Sequence, residues 1–359
     1  MIVQTVRGKK IRILVVDESA ILRMFLASVI AATPDLELIG EANDVYLARE
    51  KLVSLKPDVM ILAFDMPKMD GVTFLEKVMQ YFPTRTLMIN TSSTKKSETF
   101  LSALAAGAID VMDRPSFQKN NVLEKTAAAA ITDRIRNVFR SSLQRSFAPL
   151  EGTPIKKGVA ATQPMATKTV VAIAASTGGT EALKVLLAGL PAEIPPILIV
   201  QHMPPGFTKS FAASLDRTLP FVVKEAEHQE PIESGKVLFA PGGFHLEAGG
   251  VRGSRFVRLH QQDPLHGLRP SADYLFSSLA QCCGVHSVGV ILTGIGRDGA
   301  NGLAEIKRAG GTTMVQSEES CVVFGMPHAA IQMNIVDRVL PPAEIANALV
   351  IHWSHKGAA

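Results

Sequence analysis

Short runs of apolar residues, rich in Val, Ile and Leu, alternate with amphipathic segments in the first part of the chain. Five of these runs predict β-strands, at 11–16, 36–41, 58–62, 86–89 and 109–112. Apolar residues at helical spacing follow the first run over 19–32, and a final helix is predicted over 121–143. Strands that alternate with helices of this length indicate a parallel sheet with helices on both faces.

The pattern stops between residues 144 and 168 and then starts again. Pro149, Gly152, Pro154, Gly158 and Pro164 interrupt this stretch, which has no apolar period and is therefore predicted to be a linker. The second series has predicted strands at 169–175, 197–201, 221–224, 237–240 and 287–292, with helices at 180–190, 271–282 and 299–309. The sequence thus predicts an α/β protein with two doubly wound parallel-sheet domains, at 1–143 and 169–359, joined by this linker.

Composition and charge narrow the class of protein. The 359 residues are 47% hydrophobic and 19% charged, and the formal net charge of +4 is not gathered into the dense basic stripe that nucleic acids require. A long stretch without Asp, Glu, Lys or Arg, at 275–296, carries Gln281 and His286, so a helix and a buried strand are expected there rather than a membrane span. Cys282, Cys283 and Cys321 have the spacing of neither a disulfide framework nor a metal site. We therefore expect a cytoplasmic protein with reduced thiols and no signal peptide.

Three polar residues follow predicted strands of the second series. Ser176 comes directly after one strand, before a glycine-rich turn and a helix, His202 follows the next, and Asp298 lies in a glycine-flanked turn beyond a third. Each residue alone has an ordinary explanation, as a strand-to-helix connection, a packed histidine or a turn residue. Because the carboxyl ends of parallel strands share one edge of a sheet, we expect the three side chains to converge as nucleophile, base and orienting carboxylate. No metal-ligand spacing surrounds His202, so no metal is expected.

The segments around these residues resemble the catalytic domain of the CheB methylesterases from about residue 169 to 353. The similar segments are ASTGGTEAL, QHMPPGFT, RPSADYLF, GVILTGIGRDGANG and SCVVFGMP. The resemblance implies Ser176 as nucleophile, His202 as general base and then acid, and Asp298 as the residue that orients His202. It also implies that Thr177 lies near the nucleophile and that Ile295, where the family often has methionine, lines the oxyanion hole through its backbone N–H.

The same resemblance implies a reaction and its partners. The substrates would be glutamate γ-methyl esters on methyl-accepting chemoreceptors, and certain receptor glutamines would be deamidated by the same acyl route. No cofactor is needed for either reaction. A chemotaxis histidine kinase is implied as a further partner, whereas neither nucleic acid nor membrane insertion is.

The first domain resembles a response-regulator receiver over about residues 1–143, through the segments VVDESA, PDVMILAFDMPKMDG and GAIDVMDRP. It departs from that pattern at four positions of one site. Ala63 stands where the family has its phosphoacceptor aspartate, Glu18 where a second aspartate is common, Asn90 in place of a hydroxyl residue, and Arg114 in place of a lysine. Alanine has no carboxylate to accept a phosphoryl group, and arginine presents a different geometry to phosphate. We therefore expect a degenerate receiver that keeps the fold and has lost the phosphorylation chemistry.

Two other functions fit parts of this pattern. One is a binding protein, in which the degenerate receiver precedes a catalytically silent nucleotide-binding domain. The other is a non-catalytic adaptor that docks to receptors without turning them over. Release of methanol from a methylated receptor separates both from a methylesterase.

Overall fold

A computed structural model of the protein describes residues 10–90, 102–114, 121–141, 168–251 and 254–356. The chain divides into two compact units, Met1–Pro149 and Leu150–Ala359. Almost all of the predicted linker at 144–168 lies outside the described residues, so the predicted domain limits stay a prediction.

The described part of the first unit forms a five-stranded parallel sheet, which confirms the predicted fold class. The strand order is β2-β1-β3-β4-β5. The strands are β1 Ile11–Val16, β2 Leu36–Ala42, β3 Val59–Ala63, β4 Arg85–Asn90 and β5 Asp110–Asp113. The helices are Ala20–Ala31, Val45–Leu55, Gly71–Tyr81 and Asn121–Arg140. Strand β3 is buried along its whole length because helices cover both faces of the sheet, which is why its sequence is a continuous apolar run.

Side chains that accept backbone hydrogen bonds mark where helices of this unit begin. Asp44 accepts from the backbone N–H groups of Tyr46 and Leu47, and Asp70 accepts from that of Thr73. Such N-cap bonds satisfy donors that have no partner within the helix. The helix starts are therefore encoded locally.

The described residues of the second unit form a seven-stranded parallel sheet in the order β14-β13-β12-β6-β7-β9-β8. Its strands are β6 Val170–Ala175, β7 Ile197–Gln201, β8 Val222–Glu225, β9 Lys236–Phe239, β12 Ser287–Ile291, β13 Thr312–Gln316 and β14 Arg338–Leu340. An antiparallel pair, β10 His245–Val251 and β11 Ser254–His260, lies outside this sheet. The helices are Gly179–Ala188, Phe207–Asp216, Ala272–Cys283, Ala300–Arg308, Met326–Gln332 and Pro342–Lys356.

Several elements of the second unit were not predicted from the sequence. Strand β13 opens with two threonines and β14 has three residues, so neither presents the apolar run that marks the central strands. The pair β10 and β11 carries glycines and charged residues and gains its stability by pairing along seven positions. These elements depend on their neighbours in the fold rather than on their own pattern.

Strands β12, β6 and β7 are neighbours in the sheet, with β6 in the middle. All three are buried along their whole length. Because they are parallel, the residues that follow them meet at one edge of the sheet. Among the described residues, no helix combines the length and apolar character needed to span a membrane.

Candidate active site

Ser176 is held by its backbone in a tight turn directly after β6. Its N–H donates to the carbonyl of Thr293 at 3.0 Å, and its own carbonyl accepts from the Gly179 N–H at 2.8 Å and from Nε2 of Gln201 at 3.0 Å. Gly178, in the left-handed region at φ +78°, permits the chain to enter the next helix immediately. The half-buried Ser176 therefore lies at the N-terminal end of a helix, where backbone N–H groups are unpaired.

His202 and Asp298 form a buried pair beside this turn. Nε2 of His202 lies 2.8 Å from Oδ2 of Asp298, and their side chains are 7% and 1% exposed. The N–H of His202 donates to the carbonyl of Ala175 at 3.0 Å, which brings the histidine next to Ser176. The other ring nitrogen of His202, Nδ1, is buried and has no hydrogen-bond partner among the described residues.

The carboxylate of Asp298 is fixed by donors from a different part of the chain. It accepts hydrogen bonds from the hydroxyl of Ser271 at 2.6 Å, the N–H of Ala272 at 2.7 Å and the N–H of Asp273 at 3.3 Å. Burial acts to raise the pKa of Asp298, but the bonds from His202, Ser271 and Ala272 outweigh it and lower the pKa below its usual value. Asp298 is therefore an anion held in one orientation against the imidazole.

Thr177 and Ile295 lie on the two segments that enclose Ser176. Thr177 is buried, and its carbonyl accepts from the hydroxyl of Thr293 at 3.0 Å. Ile295 is half-buried and follows Gly294. Within the described ranges, the backbone N–H groups of Thr177 and Ile295 donate no hydrogen bond. Both are therefore available to a developing oxyanion.

Sequence reasoning missed three residues that shape this site. Gln201 bonds to the carbonyl of Ser176, Ser271 bonds to Asp298, and a Cβ on Gly294 would lie 2.7 Å from Cβ of Ser176. All three lie in segments that carry the resemblance, Gln201 in QHMPPGFT, Ser271 in RPSADYLF and Gly294 in GVILTGIGRDGANG, and all three lie close to the predicted catalytic residues in space. The sequence carries no signal that identifies these contacts.

His266, Asp273 and Asp298 offer potential metal-ligand atoms within 4.8 Å of one another. Both oxygens of Asp298 are already engaged by the four donors described above, which leaves them poorly suited to a metal ion. The sequence-based expectation of a site without metal stays a prediction.

The receiver unit has a second cluster of polar groups at the ends of its strands. Asp17, directly after β1, is 2% exposed, and its Oδ1 accepts from the Ser19 N–H at 2.7 Å. Burial raises the pKa of Asp17, although the Ser19 N–H and the nearby charge of Arg114 oppose the shift. Arg114, which follows β5, donates to the hydroxyl of Ser19 at 2.7 Å. Ala63, the last residue of the central strand β3, brings only a buried methyl group to this edge.

The other two positions that differ from the receiver pattern, Glu18 and Asn90, lie at the same edge of the receiver sheet. Glu18 is exposed and follows Asp17, and Asn90 is the last residue of β4. Strand β3, which ends at Ala63, pairs with β1 on one side and β4 on the other. All four departures thus belong to strand ends of a single edge.

Comparison with known proteins identifies both units. The family model for the CheB methylesterase matches residues 171–349, and that for the response regulator receiver domain matches residues 13–127. A protein-glutamate methylesterase/protein-glutamine glutaminase of Bdellovibrio bacteriovorus is 48% identical over 98% of this chain and 100% of its own length. A similarly named protein of Pseudomonas aeruginosa is 42% identical over 97% of this chain and 98% of its own.

A solved structure supports the same relationship. The catalytic domain of the Thermotoga maritima CheB methylesterase is 42% identical, with a TM-score of 0.50, and the match covers 51% of this chain and 97% of that domain. Ser176, His202 and Asp298 all lie within residues 171–349, the part of the chain that the methylesterase family model matches. The chain belongs to the CheB methylesterase family, with a response-regulator receiver domain preceding the methylesterase domain.

Proposed function

We propose that the protein hydrolyses γ-methyl esters of glutamate residues, with Ser176 as nucleophile, His202 as general base and acid, and Asp298 as the residue that orients His202. Membership of the family supports the reaction. The observation that carries the mechanism is the buried hydrogen bond of 2.8 Å between His202 and Asp298, adjacent to Ser176. A base held by a carboxylate beside a serine is the arrangement that activates a hydroxyl group.

The contact with Asp298 supports different roles for the two ring nitrogens of His202. Because Nε2 bonds to Asp298, Nδ1 is the nitrogen that remains to accept the proton of the Ser176 hydroxyl. Its burial without a partner among the described residues supports this role. Asp298 stays ionised, keeps the proton on Nε2 and stabilises the imidazolium that forms during the reaction.

The reaction then runs in two halves. Oγ of Ser176 attacks the γ-carbonyl carbon of the methylated glutamate as its proton passes to His202. The tetrahedral oxyanion collapses, the bond to the methoxy group breaks, and His202 returns the proton so that methanol leaves. Water gives a proton to His202 as it attacks the acyl-enzyme, and collapse of the second intermediate releases the glutamate carboxylate and restores Ser176.

The oxyanion needs hydrogen-bond donors at the same place. Thr177 directly follows Ser176 and Ile295 directly follows Gly294, which packs against Ser176, and neither backbone N–H donates a hydrogen bond among the described residues. Donors fixed in this way stabilise negative charge at no cost of reorganisation, typically by about 10²–10³ in kcat for a single donor. Because the donor is a backbone group, isoleucine in place of methionine at position 295 leaves it intact.

We extend the proposal to substrates and partners through the family. Methyl-accepting chemoreceptors are the substrates, the process is chemotaxis adaptation, and a histidine kinase is a partner of the receiver. Attack on a glutamine side chain by the same route would release ammonia instead of methanol, in keeping with the second part of the relatives' name. We propose a cytoplasmic location, in which the free thiols of Cys282, Cys283 and Cys321 are the expected state.

The test is methanol release from a methylated receptor by the full chain and by Ser176→Ala. Without its nucleophile the variant is expected to lose about 10⁴-fold or more in kcat. Ser214→Ala is the matched control, because Ser214 is also half-buried and, in the part of the chain that the structure describes, its hydroxyl bonds only to the helix carbonyl of Phe211. Near-normal turnover by folded Ser176→Ala would contradict the mechanism, and a wild-type protein that binds receptor without releasing methanol would be an adaptor.

A further inference from the structure

Ser271 makes an unusual contact for a residue at the start of a helix. It directly precedes the helix Ala272–Cys283 and has the extended backbone of an N-cap residue, with φ −119° and ψ 137°. A serine at this position normally accepts a hydrogen bond from an N–H group of the first turn. Ser271 makes no such bond, and its fully buried hydroxyl donates to Oδ1 of Asp298 at 2.6 Å.

Asp298 takes over the capping of this helix. Its Oδ2 accepts from the Ala272 N–H at 2.7 Å and its Oδ1 from the Asp273 N–H at 3.3 Å, although Asp298 comes 26 and 25 residues later in the chain. A carboxylate at a helix N-terminus is stabilised by the partial positive charge of the unpaired N–H groups. The helix thus holds the carboxylate that contacts His202.

The four hydrogen bonds leave Asp298 a single orientation. Oδ2 is shared between Ala272 and His202, and Oδ1 is shared between Asp273 and Ser271. At 3.3 Å the Asp273 bond is long, so the Ser271 hydroxyl is the short contact that prevents Oδ1 from turning. Rotation of the carboxylate would move Oδ2 away from Nε2 of His202.

We propose that Ser271 is a positioning residue of the methylesterase reaction, whose hydroxyl locks the Asp298 carboxylate in the orientation that holds His202 toward Ser176. The inference rests on the proposed function. Ser271 touches neither substrate nor the reacting atoms and acts through Asp298. Its removal therefore lowers kcat and leaves KM unchanged.

The pH dependence of activity distinguishes this role from a purely structural one. The hydroxyl draws electron density from the carboxylate, and without it more of the negative charge faces the imidazole ring. The Ser271 bond is one of those that lower the pKa of Asp298, so in Ser271→Ala the carboxylate is a stronger base and the acid limb of the kcat/KM profile moves to higher pH. The titratable groups that face Asp298 are unchanged by the substitution: His202 after β7, Asp273 on the helix, His266 on the preceding loop and His245 at the start of β10.

The experiment compares the full chain with Ser271→Ala, Ser271→Cys and the control Ser287→Ala. Ser287 is an equally buried serine at the opposite end of β12, and its hydroxyl bonds to the Gly284 carbonyl. We expect kcat for Ser271→Ala to fall about 10- to 100-fold, the range set by one hydrogen bond to a charged group, with KM unchanged. Ser271→Cys keeps a side chain of similar shape, but its thiol is only a weak hydrogen-bond donor. We expect its kcat to lie between that of the wild type and that of Ser271→Ala.

Each outcome decides a separate question. If Ser271→Ala has the wild-type kcat and an unchanged acid limb, the inference about Ser271 is overturned. The proposed function would still stand in that case, provided that the wild type releases methanol. No methanol release by the wild type and by Ser287→Ala would overturn the proposed function itself. If Ser271→Ala does not fold, Ser271→Cys decides, because a wild-type rate and pH profile with the weak donor would equally overturn the role of the hydroxyl.

Discussion

Gly294→Ala is expected to disable the site by displacing Ser176 without altering any catalytic side chain. A Cβ on residue 294 would lie 2.7 Å from Cβ of Ser176, 3.2 Å from its backbone nitrogen and 2.3 Å from Sδ of Met326. The φ angle of Gly294 lies outside the left-handed region, so the backbone itself accepts alanine. The substitution therefore tests only whether a Cβ atom at residue 294 has room beside Ser176.

The size of the effect follows from these distances. Carbon atoms in contact lie at about 3.5–4.0 Å, so the nucleophile must move by roughly 1 Å if residue 294 stays in place. It does stay, because its N–H donates to Val323 at 3.0 Å and its carbonyl accepts from Gly325 at 3.1 Å and Met326 at 3.0 Å. A misplacement of about 1 Å in a reacting group costs about 10²-fold in rate.

Gly289→Ala is the matched control for crowding. Gly289 lies on β12, and its Cβ would meet Cδ1 of Leu303 at 2.5 Å and Cδ1 of Ile306 at 2.8 Å, on the helix that covers the strand. Each substitution adds a methyl group where buried atoms are already closely packed, which lowers the free energy of unfolding by about 1–3 kcal/mol. Such a loss lowers Tm by about 2–4 °C per kcal/mol in a domain of 150–250 residues.

The assay is methanol release at saturating substrate, with thermal unfolding of the same samples. We expect both variants to unfold earlier and only Gly294→Ala to lose about 100-fold in kcat. Full turnover by Gly294→Ala would refute the packing argument. An equal loss of turnover in Gly289→Ala would show that crowding anywhere in the sheet is sufficient, and would refute it as well.

Two further predictions concern pH and the receiver. The value of kcat/KM should rise with pH, because only neutral His202 accepts the proton of Ser176; a profile that is flat from about pH 5 to 8 would count against this base. Asp298 stays ionised in that window, because its folded pKa is lowered: burial opposes the shift, and the bonds from His202 and Ser271 outweigh it. Its contribution to the free energy of unfolding is complete above the unfolded value of about 3.9 and is lost as pH falls through the lower folded pKa. A small phosphodonor with Mg²⁺ should leave no acyl phosphate on residues 1–143 and should not speed methanol release, because Ala63 has no carboxylate; a gain in mass of one phosphoryl group on the receiver together with faster turnover would disprove this.

The central strands were predicted from the sequence, which also indicated the three candidate catalytic positions. The strand predicted at 197–201 is the observed β7, and those at 169–175 and 287–292 differ from β6 and β12 by one residue at one end. A strand buried on both faces must be apolar at every position, so its signal is local and strong. Ser176 and His202 stand out for the same reason, because each directly follows such a strand, whereas Asp298 lies seven residues beyond the end of β12 in a glycine-flanked turn.

The sheet order and the contacts around the site were decided by the tertiary structure. The sequence does not state that β12, β6 and β7 are neighbours, and this pairing is what brings Asp298 to His202 across 96 positions of the chain. Likewise, Arg114 reaches Ser19 over 95 positions, from the end of β5 to the loop after β1. Such contacts depend on the register and order of strands, which are properties of the whole sheet.

Ser271 and Gly294 illustrate the limit most clearly. By itself, a serine before an amphipathic helix predicts an N-cap, and a glycine after a strand predicts a turn. In the folded chain the hydroxyl of Ser271 bonds instead to Asp298, and Gly294 leaves room for Ser176. The sequence by itself determined the buried central strands, the main amphipathic helices and the residue types that can do chemistry, because those depend on short-range pattern. Only the packed sheet decided which side chains hold the others in place, because hydrogen bonds and close contacts join residues that the chain keeps far apart.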